Sequence, residues 1–239
     1  MGRSLSPKNV LTTYRIAVRA DRWHGGYAFA NCLSMSLHFS DETVHLPPSL
    51  LRGDGPIGTT FVQRQILTYR AAADVVWSLP YARNSTGPGK YKRVLIEERG
   101  TCSSKHALLA ALAREEGIAV QLFLGFYELN GINAPGSART LRHYGLDAVP
   151  ESHCWLQYEN HFIDVSWPAD AIQQRDLAIK RRNYFWQQII QPEDVDAKRD
   201  ELHRLVIKEW AAKKGLAFSV EQILAILAEC KSAHRASWN

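Results

Sequence analysis

Cys102, His153 and Asp164 are the residues of this 239-residue chain whose types and spacing point to covalent chemistry. Cys102 lies in "ERGTCSSKHALLAALAREEGI" (Glu98–Ile118), directly after Arg99-Gly100-Thr101. The stretch Ala107–Ala113 reads ALLAALA, apolar all round, which predicts a buried helix. A cysteine in the first turn of such a helix meets unpaired N–H groups and the positive end of the helix dipole. Both favour the thiolate, which is the nucleophilic form. The same position suits a small, inert core residue equally well. The helix alone does not separate the two readings.

A thiol nucleophile needs a base and a group that holds the base. "HCWLQY" (His153–Tyr158) and "HFIDVSW" (His161–Trp167) read as two strands joined by a two-residue turn at Glu159–Asn160. That register sets Asp164 opposite Trp155, on the face that Trp155 shares with His153. One ring nitrogen can then bond the carboxylate while the other faces the thiol. A slip of one residue would destroy the arrangement. Taken singly, His153 also reads as a satisfied core histidine, and Asp164 as a turn residue at a strand end. A zinc site is the rival, with Cys102, His106, His153, Cys154 and His161 as possible ligands. His153 and Cys154 are adjacent in a strand and point to opposite faces, so they cannot share one ion, and no metal is expected. His106, one turn after Cys102, could touch the site but reads first as a helix-surface histidine.

The elements that must position these residues can be read from the periodicity. Apolar residues from Phe61 to Leu79 recur at helical spacing until Pro80, which predicts one helix over 59–79. "RNSTGPGK" (Arg83–Lys90) is a loop, and the cysteine helix follows at about 102–116. Ile118–Leu129 is dense in strand formers. The loop Asn130–Ala138, with two Gly and one Pro, is long enough to act as a movable cover, and a short helix follows over Arg139–Tyr144. Helices are predicted from Pro192 to about Lys213 and from near Ser219 to about Ser232. Short β-like stretches lie around Val10–Val18 and Tyr27–Phe39. The order is that of an α+β fold.

Composition bounds the rest. The chain is 46% hydrophobic and 22% charged, with seven Trp, as expected for a globular protein with a sizeable core. Its net charge of +5 is spread along the chain and does not by itself imply nucleic acid. Lys180-Arg181-Arg182, beside Tyr184, Phe185 and Trp186, reads as a solvated loop next to a core-bound aromatic cluster rather than a nucleic-acid patch. Four widely spaced cysteines, Cys32, Cys102, Cys154 and Cys230, suit a reducing cytosol. Neither a signal peptide nor a membrane span is visible, so a soluble, cytoplasmic protein is expected.

"GTCSSKHALLAALAREEGI", a strand containing Gly125, then "HCWLQY" and "FIDVSWP" together resemble the core of the transglutaminase-like superfamily of papain-like thiol enzymes, over roughly residues 94–168. That family usually shows His-Ala-Trp where this chain has His153-Cys154-Trp155, a small-for-small exchange. The resemblance implies a papain-like transglutaminase core, with the cysteine helix packed on an antiparallel sheet and helices added at the C-terminus. It implies one domain over 1–239, with its core at about 57–168, N-terminal strands and loops over 1–56, and a helical extension over 169–239. It also implies a Cys102–His153–Asp164 triad acting on an amide or ester carbonyl through an acyl-enzyme. The Cys102 backbone N–H would be one oxyanion donor. Trp77, Tyr81 and Asn84 are candidates for the second.

The expected function is thiol-dependent hydrolysis or acyl transfer at an amide carbonyl, of amidase, peptidase or glutamine deamidase type. Alternatives are a transamidase or amide-forming acyltransferase, and a non-catalytic scaffold with the same fold. Resemblance to the Arg-Gly-Gly-x-Cys segment of arylamine N-acetyltransferases is weaker. No cofactor, nucleic-acid partner or membrane partner is expected. The substrate would be a peptide, protein or small-molecule amide.

Overall fold

A computed structural model describes residues 43–87, 89–167 and 183–237. The chain divides into two compact units, Met1–His38 and Phe39–Asn239, and the first lies outside the described residues. So do the β-like stretches read around Val10–Val18 and Tyr27–Phe39, and the Lys180–Arg182 run. The second unit is α+β, as predicted. Among the described residues its helices are, in chain order, α1 (Pro56–Gln63), α2 (Tyr69–Ser78), α3 (Val94–Glu97), α4 (Cys102–Glu115), α5 (Ala138–His143), α6 (Ala197–Lys213) and α7 (Val220–Ala236). Four antiparallel strands, β1 (Gln121–Asn130), β2 (Ala148–Tyr158), β3 (His161–Ile163) and β4 (Tyr184–Ile190), form one sheet in the order β3-β2-β1-β4. Among the described residues no helix is long and apolar enough to cross a membrane.

The helix predicted over 59–79 is two helices. Gln65 adopts a left-handed backbone at φ 61°, which no α-helix accommodates. Thr68 then caps α2, its side chain accepting the Ala71 N–H at 3.2 Å. The break lets α1 and α2 both lie against α4. Glu115 and Glu116, at the far end of α4, hold this corner. Glu115 accepts the Ile57 and Gly58 N–H groups at the start of α1, both at 2.9 Å. Glu116 accepts those of Arg52 and Gly53, at 2.7 and 3.0 Å.

Alternation divides the sheet into two faces. Leu122, Leu124 and Phe126 of β1, with Cys154 and Leu156 of β2, pack with Leu108, Leu109 and Leu112 of α4. Each fully buried leucine contributes roughly 1.5–3 kcal/mol, so this face and α4 form the centre of the core. On the other face, Tyr127, Leu129 and Val149 pack against Ile207 and Trp210 of α6 and Ile223 and Ile226 of α7. Beside them the same face carries a cluster of aromatic rings. Trp155 stacks on Phe123 and Phe162, with ring centroids at 5.5 and 5.1 Å, and tilts against Tyr184 at 4.7 Å. Gly125, opposite His153, permits this. A Cβ there would lie 2.7 Å from ring carbons of both Trp155 and Tyr184.

Tyr184–Trp186, read as a core-bound aromatic cluster, begins a strand that the sequence reading did not assign: Tyr184–Ile190 pairs with β1 from Leu122↔Ile190 to Tyr127↔Tyr184, and Trp186 packs on Phe126 in the core. The 130–138 loop is tied to its neighbours. Asn133 ties it to Asn130 and to the Glu128 carbonyl, and Gly136 sits so close to α7 that a Cβ would lie 2.5 Å from His234 Cα.

Candidate active site

The hairpin forms in the predicted register. Glu159 takes the left-handed conformation (φ 53°) that a tight two-residue turn requires, and the pairs are Tyr158↔His161, Gln157↔Phe162 and Leu156↔Ile163. Asp164 therefore follows directly opposite Trp155. Its Oδ2 lies 2.8 Å from His153 Nε2, and its Oδ1 accepts the Ser166 N–H at 2.9 Å. Asp164 is fully buried, and His153 nearly so, at 4% exposed. With Nε2 turned to the carboxylate, Nδ1 of His153 is the nitrogen left for the thiol.

Cys102 opens α4 and is buried. Ser104 fixes the first turn, its Oγ accepting the Thr101 N–H at 2.9 Å. The cysteine sits where β2 has lost its outer neighbour. In a two-residue hairpin the pair flanking the turn is hydrogen-bonded, and such pairs alternate along the ladder. Residues 158, 156 and 154 thus turn their N–H groups toward the β3 side. Because β3 ends at Ile163, the Cys154 N–H meets no strand and donates to Cys102 instead.

Burial works against ionisation of Cys102. The charge of His153 and its hydrogen bond, then the charge of Arg199 and the Cys154 N–H, outweigh it and bring the thiol down to about 7. Cys154 is the contrast. Its thiol points into the core, and burial, together with the nearby Cys102, pushes it well above the usual range.

His106 does not face solvent as predicted. It is fully buried, donating Nδ1–H to the Cys102 carbonyl at 2.6 Å and accepting the Val165 N–H on Nε2 at 2.8 Å. Burial lowers its pKa to about 4, so the ring is neutral and serves as a strut between the nucleophile's backbone and the chain just past Asp164. Lys105, also fully buried, makes a second strut. Its Nζ donates to the carbonyls of Leu79 (2.5 Å), Ser166 (3.1 Å) and Trp77 (3.4 Å). Gly100 makes way for it, since a Cβ there would come 2.8 Å from Lys105 Cγ.

The three oxyanion candidates are placed differently. Asn84 braces the loop before α4. It accepts from Ser104 Oγ at 2.7 Å and donates to the Arg99 carbonyl at 2.9 Å. Tyr81 bridges Gly100 through its backbone and stacks its ring on Trp167 at 4.0 Å, so it borders both the cysteine and the aspartate segments. Trp77 is buried in the last turn of α2. The residues missed at this site are Arg199 and the Cys154 N–H. Among the described residues no group of three His, Cys, Asp or Glu is disposed to hold a metal ion.

Residues 61–167 match the family model of the Transglutaminase-like superfamily. The match runs from the end of α1 to just past Asp164, leaving β4, α6 and α7 outside it. The family supports a thiol-dependent enzyme acting on amides. No curated protein and no solved structure matches the chain.

Proposed function

We propose that the protein hydrolyses an amide through an acyl-enzyme on Cys102, with His153 as general base and then acid and Asp164 as the group that orients it. The observation that carries this reading is the His153–Asp164 contact at 2.8 Å in a buried setting, with the other side of the imidazole hydrogen-bonded to the Cys102 thiol. His153 takes the thiol proton, and the sulfur attacks the carbonyl carbon. The resulting oxyanion meets the Cys102 backbone N–H, with Trp77 or Tyr81 proposed as the second donor. When the C–N bond breaks, the His153 proton goes to the leaving amine. Water then attacks the thioester with His153 as base, releasing the acid and restoring the thiol.

The aromatic surface beside His153 favours a substrate with an apolar flank. Trp155 is buried there, while Phe162 is 38% exposed. Incubation with glutamine-containing peptides, with and without a primary amine, tests the reaction by ammonia release and product mass. Cys102-dependent ammonia release with formation of the free acid is expected. Dominant amine incorporation would make the enzyme a transamidase instead. No turnover of any amide or ester by a protein with a reactive Cys102 would contradict both.

A further inference from the structure

Arg199 lies on α6, more than thirty residues beyond the matched segment, yet its guanidinium reaches the first turn of α4. Nη1 donates to Ser103 Oγ at 3.2 Å, on the residue next to Cys102. Nε and Nη2 hold Asp200 Oδ1 at 3.3 and 2.8 Å. The two ends of this pair sit in different media. Asp200 is 61% exposed and Arg199 only 26%. Asp200 thus steadies the guanidinium from the solvent side, while Nη1 reaches inward to Ser103, beside Cys102.

The contacts use one N–H on each nitrogen, which leaves a second N–H on each of Nη1 and Nη2. Other charged groups nearby have hydrogen-bond partners of their own, Lys105 among them with its three carbonyls. Buried Glu151 pairs with Lys231 at 2.5 Å, and Asp164 faces His153. His203, one turn further along α6, is turned to the Pro150 carbonyl at 3.0 Å. Arg199 is therefore the cation beside Cys102 whose carboxylate partner stands mostly in water, where that partner is weakened by screening. A guanidinium keeps its charge and has donors to spare, which suits it to an anionic group such as a carboxylate or a phosphate.

We infer that Arg199 is a specificity residue that binds an anionic group on the acyl donor as its carbonyl reaches Cys102. The inference rests on the nucleophile reading above. It assigns to α6 a part in the site, and it selects acyl donors that carry a carboxylate or phosphate close to the scissile bond.

Alkylation of Cys102 by iodoacetate and by iodoacetamide tests it. The reagents are similar in size; one carries a carboxylate and the other is neutral. Both need the same thiolate, so the ratio of their rates cancels any change in ionisation and reports the anion site alone. Rates are followed by peptide mass spectrometry on the full chain at low ionic strength. Arg199→Gln is expected to lower the iodoacetate-to-iodoacetamide ratio by about tenfold, and Arg199→Lys to restore part of it. Asp200→Asn changes an exposed side chain and is expected to raise the ratio at least about twofold by removing the competing carboxylate. It keeps the test valid should Arg199→Gln fail to fold. Fast alkylation of Cys102 with an unchanged ratio in the folded variants would overturn the role of Arg199 alone. Slow alkylation by both reagents in the unsubstituted protein would overturn the nucleophile reading, and this inference with it.

Discussion

His153→Ala is expected to lower Cys102-dependent turnover by roughly 10³–10⁴-fold. The substitution removes three things together: the base, the acid for the leaving amine, and the positive charge that keeps the thiolate. What remains around Cys102 is its burial, which raises the thiol pKa, opposed only by Arg199 and the Cys154 N–H. Without the imidazolium the thiol should titrate higher, and its alkylation at pH 7 should slow by about tenfold or more. Initial rates on the amide substrate and alkylation rates of the same variant check both effects. Turnover within a few-fold of the unsubstituted protein would remove His153 from the mechanism.

Asp164→Asn is expected to cost on the order of 10²–10⁴ in kcat/KM, with a smaller loss of stability of about 1–3 kcal/mol. Asp164 accepts from two sides, His153 Nε2 at 2.8 Å and the Ser166 N–H at 2.9 Å. An asparagine has one acceptor and one donor end, so one of these contacts must fail. If the amide N–H₂ faces His153, the ring is driven to the tautomer with its proton on Nδ1, so the nitrogen facing the thiol has no lone pair left to accept the thiol proton. If it faces Ser166, a buried backbone donor is left unpaired. Kinetics beside a thermal melt separate the two losses. A large fall in melting temperature with activity intact would mean that Asp164 is structural only.

The hairpin was legible because a two-residue turn fixes register, and register fixes which side chains share a face. The position of Asp164 followed from Glu159–Asn160 alone. The cysteine helix was legible from ALLAALA, and the argument that buries that helix on all sides applied to His106 as well. A helix without a solvent face has no place for a surface histidine. The break between α1 and α2 carried no Gly or Pro. Its one local signal was Thr68, which reads as an N-cap only when the periodic pattern is allowed to restart. β4 escaped because its sequence, YFWQQII, alternates weakly in exposure and pairs with β1 far back along the chain. Arg199 had no local signal at all. It meets Ser103 across a separation of 96 residues, and only the packing of α6 on β2 brings the two together.

The most direct test of the account is competitive alkylation of the folded protein by iodoacetamide across pH, mapped to each cysteine by mass spectrometry. Cys102 should react well before Cys32, Cys154 and Cys230 at pH 7. Its rate should rise with pH through a midpoint near 7, because deprotonation creates the nucleophile. Equal rates at the four cysteines, or a Cys102 midpoint at or above the ordinary thiol value, would contradict it.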